Sequence, residues 1–250
     1  SLTSVRYLIL SDIHGNWEAL EAVLRDAGSD FDEILCCGDL VGYGADPNRV
    51  VDWARSRVKT VVRGNHDKAC AGLDGLEWFN PAARDAALWT RQTLTSRNLE
   101  FLRRLPQGPV AMDSFQLLHG SPLDEDEYLV STFAVAQIVD YLERPISFFG
   151  HTHLQGGFLC YRNSVKRLDR PHLGETRRII ELEHNPFYLI NPGSVGQPRD
   201  GDPRAAYLAY DSENRLVEFR RVPYDVRKSQ EKIRGAGLPA LLADRLELGS

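Results

Sequence analysis

The chain has 250 residues, 42% hydrophobic and 26% charged, and a formal charge of −5 from 30 Lys and Arg against 35 Asp and Glu. Such a chain can bury a core without disulfide staples, and its acidic balance makes a long nucleic acid a poor default partner. The best uncharged apolar stretch, Tyr128 to Val139, has 12 residues against the roughly 20 that a transmembrane helix needs. No charged-then-apolar leader with a cleavage site is legible. The chain opens at Ser1 rather than methionine, so its first few residues read as processed or appended. Cys36, Cys37, Cys70 and Cys160 lack Cys-x-x-Cys spacing, which removes zinc-knuckle and thioredoxin readings and suits reduced core thiols in a cytoplasmic protein.

Val5–Leu10 predicts a buried strand, ended by the loop Ser11-Asp12-Ile13-His14-Gly15-Asn16. Trp17, Leu20, Val23 and Leu24 then follow helical spacing, with Asn16 as the expected N-cap. Ile34–Cys37 predicts a second strand, ended by Gly38-Asp39. A helix is expected over Asp46–Arg57, which opens with a cap-and-proline signal. Val58–Val62 predicts a third strand, ended by Gly64-Asn65-His66-Asp67. This β-α-β-α-β opening is the signature of an α/β layer with a largely parallel first sheet.

Residues 68–109 change character. They hold Trp78, Trp89 and two helix-like segments, Pro81–Leu94 and Arg97–Leu105, and read as a helical insertion packed over one edge of the sheet. Strands resume at Val110–Met112 and Phe115–Leu118, the latter ending at His119-Gly120. A helix is expected over 131–142, and Ile146–Phe149 predicts a strand ending at Gly150-His151-Thr152-His153. Beyond it the texture is all-β: Phe158–Tyr161, Arg178–Glu183, Tyr188–Ile190, Ala205–Tyr210 and Leu216–Val222, with Asp211–Asn214 as a hairpin turn. Residues 224–250 resume helical spacing as a C-terminal extension. Packing on its own domain is the first reading of it, and a homodimer contact the alternative. The motifs run without a linker or repeat, so residues 1–250 are expected to form one domain.

Histidine is the informative residue. Five of the seven (His14, His66, His119, His151 and His153) sit beside Gly, Asp or Asn just after an apolar run. In open α/β sheets, ligand sites form outside the carboxyl ends of the strands. Loops carrying Asp12, His14, Asp39, Asn65, His119, His151 and His153 would converge there into a mixed N/O cluster. Imidazole with carboxylate suits Zn, Mn, Fe, Ni or Co better than Ca or Mg. Seven ligands are too many for one tetrahedral site and right for two ions sharing a carboxylate. Two such ions roughly 3.5–4 Å apart can activate a bridging water and clamp an in-line displacement at phosphorus.

Taken in order, Asp12-x-His14, Gly38-Asp39, Gly64-Asn65-His66-Asp67, His119-Gly120 and Gly150-His151-Thr152-His153 resemble the motifs of the calcineurin-like metallophosphoesterase superfamily. Asn191-Pro192-Gly193-Ser194-Val195-Gly196 resembles its small prokaryotic phosphodiesterase branch. The resemblance implies a four-layer α-β-β-α sandwich. It implies one divalent metal ion on Asp12, His14, Asp39 and His153, and a second on Asp39, Asn65, His119 and His151, with Asp39 bridging and manganese the best-supporting ion. His66 would then be a general acid rather than a ligand, and the substrate a small phosphoester.

The sequence departs from the phosphoprotein phosphatases of that superfamily. Their Gly-Asp-x-x-Asp-Arg-Gly reads here Gly38-Asp39-Leu40-Val41-Gly42-Tyr43-Gly44, so Gly42 replaces the aspartate that would orient the catalytic histidine and Tyr43 the phosphate-gripping arginine. This argues for phosphodiester or nucleotide-type substrates, since a dianionic monoester loses a cationic grip. Asp67 and Asp46 are the candidates for orienting His66. Asn16, Tyr43 and Arg199 are expected in the substrate pocket, Asn16 with helix capping as the stronger reading. The acidic run Asp124–Glu127 reads as an exposed stretch. The alternatives are a phosphomonoesterase, a metal-binding scaffold without catalysis, and an amidohydrolase barrel, for which the chain shows too few βα units.

Overall fold

The computed structural model describes residues 4–250; the reading of the first residues as processed lies outside them. Alternation within the first strand sets the architecture. In β1 (Arg6–Leu10) Leu8 and Leu10 face a helical layer, and Ile9 faces the other way into a core shared by two sheets. A strand buried on both faces carries an unbroken apolar run, which is why YLIL is so legible. The first sheet places β1 beside β2 (Glu33–Cys36) and β3 (Thr60–Val61), all parallel. Its other half is antiparallel: β11 (Ala205–Asp211) against β1, β12 (Leu216–Val222) against β11, and β9 (Arg177–Glu181) at the edge. The sheet is therefore mixed, where a largely parallel one was expected. The parallel part stops where the short βα units stop.

The second sheet runs β4 (Val110–Ala111), β5 (Phe115–Leu117), β6 (Ile146–Phe148), β10 (Phe187–Asn191), β7 (Gly156–Tyr161), β8 (Ser164–Arg167). Within it β5, β6 and β10 are parallel. Phe115, Phe148, Tyr188, Tyr210 and Phe219 fill the space between the sheets, and each buried aromatic contributes of order 1.5–3 kcal/mol. Helices α1 (Trp17–Ala27) and α2 (Pro47–Arg57) cover the first sheet, and α6 (Thr132–Ile138) covers the second. The result is the α-β-β-α sandwich.

The insertion is helical, as expected, in α4 (Pro81–Thr93) and α5 (Ser96–Arg103), and Ala87, Leu94 and Leu102 join the core under α2. It begins earlier than expected. The residues after Gly64 form α3 (Asn65–Cys70) instead of a loop. At the C-terminus, α7 (Val226–Gly235) and α8 (Ala240–Leu248) pack on each other and on α1, and bury Ile233, Leu242 and Leu246 against Tyr43, Ala83 and Ala86. The extension thus closes over its own domain. Among the described residues no helix is long and apolar enough to cross a membrane, and all four cysteines are buried and unpaired.

Candidate metal centre

Three parallel strands of each sheet end at one edge of the sandwich, and every predicted motif sits directly after one of them, on a loop or, for Asn65-His66-Asp67, at the start of α3. The loops are stitched together through their backbones. Asp12 N bonds Gly38 O, His14 N bonds Asp39 O, Gly150 N bonds His119 O, and Gly196 N bonds Asp12 O, all within 3.0 Å. Ser194 Oγ donates to the Asp12 carbonyl at 2.7 Å, which ties the loop after β10 to the loop after β1.

Asp12, His14, Asp39, Tyr43, His151 and His153 all have φ between 50° and 69°. For residues other than glycine this region costs about 1–2 kcal/mol each, and it persists only where the surroundings over-determine it. Arg215, in the β11–β12 turn, is the one such residue elsewhere among those described. Strain is concentrated on the loops that carry the motifs.

Two buried groups emerge, Asp12 with His14 and His153, and Asp39 with His119 and His151. Asp12 Oδ2 is held by Ser11 Oγ at 2.6 Å and His151 N at 3.1 Å, while Oδ1 is buried without a hydrogen-bond partner. Asp39 Oδ1 accepts from His66 N at 2.9 Å. Its Oδ2 lies 3.6 Å from His14 Nε2 and 3.3 Å from His119 Nε2, between the two groups.

The tautomers show what this arrangement lacks. Nδ1 of His14 faces Val41 O at 2.9 Å, and Nδ1 of His153 faces Gln197 O at 2.6 Å, so both must donate there. Their Nε2 lone pairs are left pointing at each other across 3.1 Å. His119 Nδ1 likewise donates to Cys37 O at 2.7 Å, which turns Nε2 toward the Asn65 carbonyl oxygen at 3.1 Å. His151 Nε2 donates to Asp126 O at 2.9 Å, leaving Nδ1 as its available nitrogen. Lone pairs in opposition beside an orphaned carboxylate oxygen fit a cation, and the N/O donor set fits a divalent transition metal. The residues present therefore suit two divalent ions.

Burial works against ionising Asp12 and Asp39, yet the imidazoles of His153 and His119 hold both carboxyls below their usual range. Burial pushes His14 well down and, with His119 beside it, takes His151 to about 3. His119 moves the other way: burial disfavours its charge, but the Asp39 carboxylate lifts it to about 10.

His66 stands apart from both groups. Its ring packs 4.4 Å from Tyr43, 4.7 Å from Phe79 and 4.9 Å from His14. Nδ1 is buried and unpartnered, and burial brings the group down to about 4. Neither expected carboxylate orients it. Asp67 accepts instead from the N–H groups of Asp39, Leu40 and Gly64 at 2.8–2.9 Å, shaping the Asp39 loop. Asp46 takes Lys232 Nζ at 2.6 Å rather than capping α2. What aligns the ring is packing, and Gly42 lies against it: a Cβ there would overlap Nδ1 and stand 3.0 Å from Cγ.

The pocket residues divide. Asn16 is spent as the α1 cap, accepting from Ala19 N and Ser229 Oγ and donating to Gly196 O, so it has no free group for a substrate. Tyr43 walls the site and its hydroxyl accepts from Arg199 Nη2 at 3.2 Å. This corrects the expectation of a lost cationic grip. Where the phosphatases carry arginine, Tyr43 holds a guanidinium brought from the loop after β10. Arg199 also contacts Gln197 Oε1 at 2.8 Å and has no carboxylate partner. The acidic run is not merely exposed: Glu125 pairs with Arg63 at 2.7 Å and Lys68 at 3.0 Å, and Asp126 with Lys68 at 2.7 Å.

The model of the calcineurin-like phosphoesterase family matches residues 5–211. The chain belongs to the calcineurin-like phosphoesterases. Among relatives of this phosphoesterase, the uncharacterized protein MJ0912 of Methanocaldococcus jannaschii is 38% identical over 247 residues, covering 96% of this chain and 97% of that one. A metallophosphoesterase from Sphaerobacter thermophilus superposes with a TM-score of 0.85 at 37% identity, over 99% of this chain and 100% of its own. Protein PH1004 of Pyrococcus horikoshii shares the fold, with a TM-score of 0.76 at 19% identity over 98% and 99% of the two chains.

Sequence reasoning missed Phe79, Asp126 and the roles of Asp67 and Arg199. Asp67 alone had a local signal, its place three residues after Gly64.

Proposed function

We propose that this phosphoesterase is a dinuclear enzyme that hydrolyses phosphodiester or nucleotide-type esters in preference to phosphomonoesters and phosphoproteins, acting on small substrates in the cytoplasm. The observation that carries it is the pair of buried His/Asp groups meeting at Asp39 Oδ2, with His66 beside them on an open cavity. Asp12, His14, Asp39 and His153 would hold one ion, and Asp39, Asn65, His119 and His151 the other. Two bound ions would activate a water and neutralise charge on the phosphoryl oxygens. Manganese is the ion we expect to support the reaction best, with Fe, Zn, Ni or Co tolerated by the same ligands.

The chain's own residues supply the rest. Arg199, held by Tyr43 and Gln197, would face the phosphoryl group as a single guanidinium and offset one negative charge on it. His66 Nε2 is the ring nitrogen left to reach the substrate. As the water oxygen bonds to phosphorus and the ester P–O bond breaks, the leaving oxygen takes a proton from His66. The bound phosphoryl anion favours the charged form of that histidine over that in the empty site, and the proton the water gives up restores the balance. The test is hydrolysis by the metal-stripped protein with each divalent ion added back, comparing bis(p-nitrophenyl) phosphate with p-nitrophenyl phosphate. A higher kcat/KM for the diester is expected, and the reverse ranking rejects the preference.

A further inference from the structure

Beside His66 lies a cavity of ≈ 270 Å³ that borders the metal centre at Asn65 and His151 and extends away from it. It runs from Tyr43 and His66 to Trp78, Phe79 and Tyr128. Trp78 is 93% exposed and Tyr128 is 52% exposed. The Tyr128 ring stacks on that of the centre's own His151, 3.8 Å away at 26°. A tryptophan left open at the rim of a cavity offers a large flat face that the fold itself does not use. Two carboxylates, Asp74 and Asp126, line the same cavity, and no lysine or arginine does. Lys68 pairs with both, at 3.7 and 2.7 Å, but is itself buried and does not line it.

We propose that this cavity is the leaving-group site and takes an uncharged nucleoside: Trp78 stacks on the base, the carboxylates accept from hydroxyl or amino groups, and a further phosphate on the leaving group is rejected. The proposal rests on the diester reading above, because the proton donor His66 lines the cavity and the group it protonates must therefore sit there. Aromatic faces suit a base, since every base has a π-face. Two carboxylates share the single buried ammonium of Lys68, and the negative charge left over on that wall suits donors and disfavours anions. Hydrolysis then releases a nucleoside from one side of the phosphorus and leaves the phosphate on the other product.

The experiment uses the full-length, metal-loaded protein. Adenosine alone is titrated against intrinsic tryptophan fluorescence, and saturable quenching is expected. Trp78→Ala should abolish most of that quenching while unfolding at the wild-type temperature, because the side chain buries little. Its kcat/KM for the dinucleotide ApA should fall about tenfold or more. Wild-type enzyme should cleave pApAp, in which either leaving nucleoside carries a further phosphate, roughly five- to tenfold less efficiently than ApA. Absence of saturable quenching by adenosine overturns the proposal. So does a Trp78→Ala variant that binds and cleaves like wild type, or equal turnover of ApA and pApAp. Wild-type hydrolysis of bis(p-nitrophenyl) phosphate separates the two readings. If that diester is cleaved while adenosine does not bind, the nucleoside site falls and the diesterase stands. If it is not cleaved with any ion, the activity falls, and adenosine binding still reads the cavity on its own.

Discussion

The substitution Gly42→Ala isolates the alignment of His66 without touching a residue assigned to either metal ion. Gly42 has φ +88°, and an added Cβ would overlap His66 Nδ1 and stand 3.0 Å from Cγ and 3.1 Å from the histidine Cβ. The ring cannot slide aside, because Tyr43, Phe79 and His14 hold it at 4.4 to 4.9 Å. It must leave its place or the loop must move. Left-handed backbone costs alanine about 1–2 kcal/mol relative to glycine, and each kcal/mol lowers Tm by roughly 2–4 °C in a chain of this size. The expected fall in Tm is therefore about 2–8 °C, which leaves a folded protein at 25 °C. A displaced general acid removes about 10²–10⁴-fold in rate, so kcat on a nucleoside diester should drop by that range while elemental analysis finds the wild-type metal content. The same crowding bars an aspartate at this position while the His66 ring keeps its place. A folded Gly42→Ala variant with wild-type turnover of a poor leaving group would refute the placement of His66. Loss of a metal ion would show that the loop, rather than the ring, had moved.

His66→Ala should keep its metals and lose more activity on alkyl or nucleoside diesters than on nitrophenyl esters, since nitrophenolate departs unprotonated; equal loss on both would make His66 a charge stabiliser. Elemental analysis of the wild type should find up to two transition metals per chain, with Asp39→Asn weakening both sites and Asn65→Ala mainly one. A protein that never takes up more than one ion defeats the bridging role. Arg199→Ala should raise KM, by roughly 1.5–3 kcal/mol of lost charge-assisted hydrogen bonding, and more for a monoester than for the matching diester; an unchanged KM would leave Arg199 a purely structural partner of Gln197. Asp67→Ala strips three backbone N–H groups of their buried acceptor and should lower Tm by several degrees, with metal affinity falling alongside; an unchanged Tm would mean that water replaces the carboxylate.

What was legible in the sequence is what the chain settles locally. Parallel strands buried on both faces leave continuous apolar runs, and ligands sit where such strands end, so YLIL, EILCC and ISFF pointed directly at Asp12, Asp39 and His151. The two metal groups and the sandwich follow from that pattern. Long-range pairing was not legible. β9 lies beside β12 rather than any neighbour in the chain, because a hairpin turn fixes which strands meet and nothing in Arg177–Glu181 names its partner. Asp46 carries a helix-cap signature with Pro47 behind it, yet an ammonium 186 residues away takes its carboxylate. An ion pair formed by the tertiary fold displaced a local capping bond worth about 1 kcal/mol.

The exchange at Tyr43 shows why motif comparison misjudged the charge of the site. Read along the chain, replacing arginine by tyrosine removes a cation. In space, Tyr43 sits in a left-handed turn against α8, with Leu242 and Leu246 in the same buried cluster, and its hydroxyl meets a guanidinium that enters from the loop after β10. The motif position thus determines where a cation is held and leaves its supplier to another strand. Arg199 has a backbone bond to His153 O at 3.2 Å, so its position is tied to a metal-group histidine. One guanidinium attracts either ester, and it is the carboxylates lining the cavity beside His66 that disfavour a second negative charge on the substrate. The diester preference we propose therefore rests on where charge is placed around the site rather than on the arginine missing from a motif.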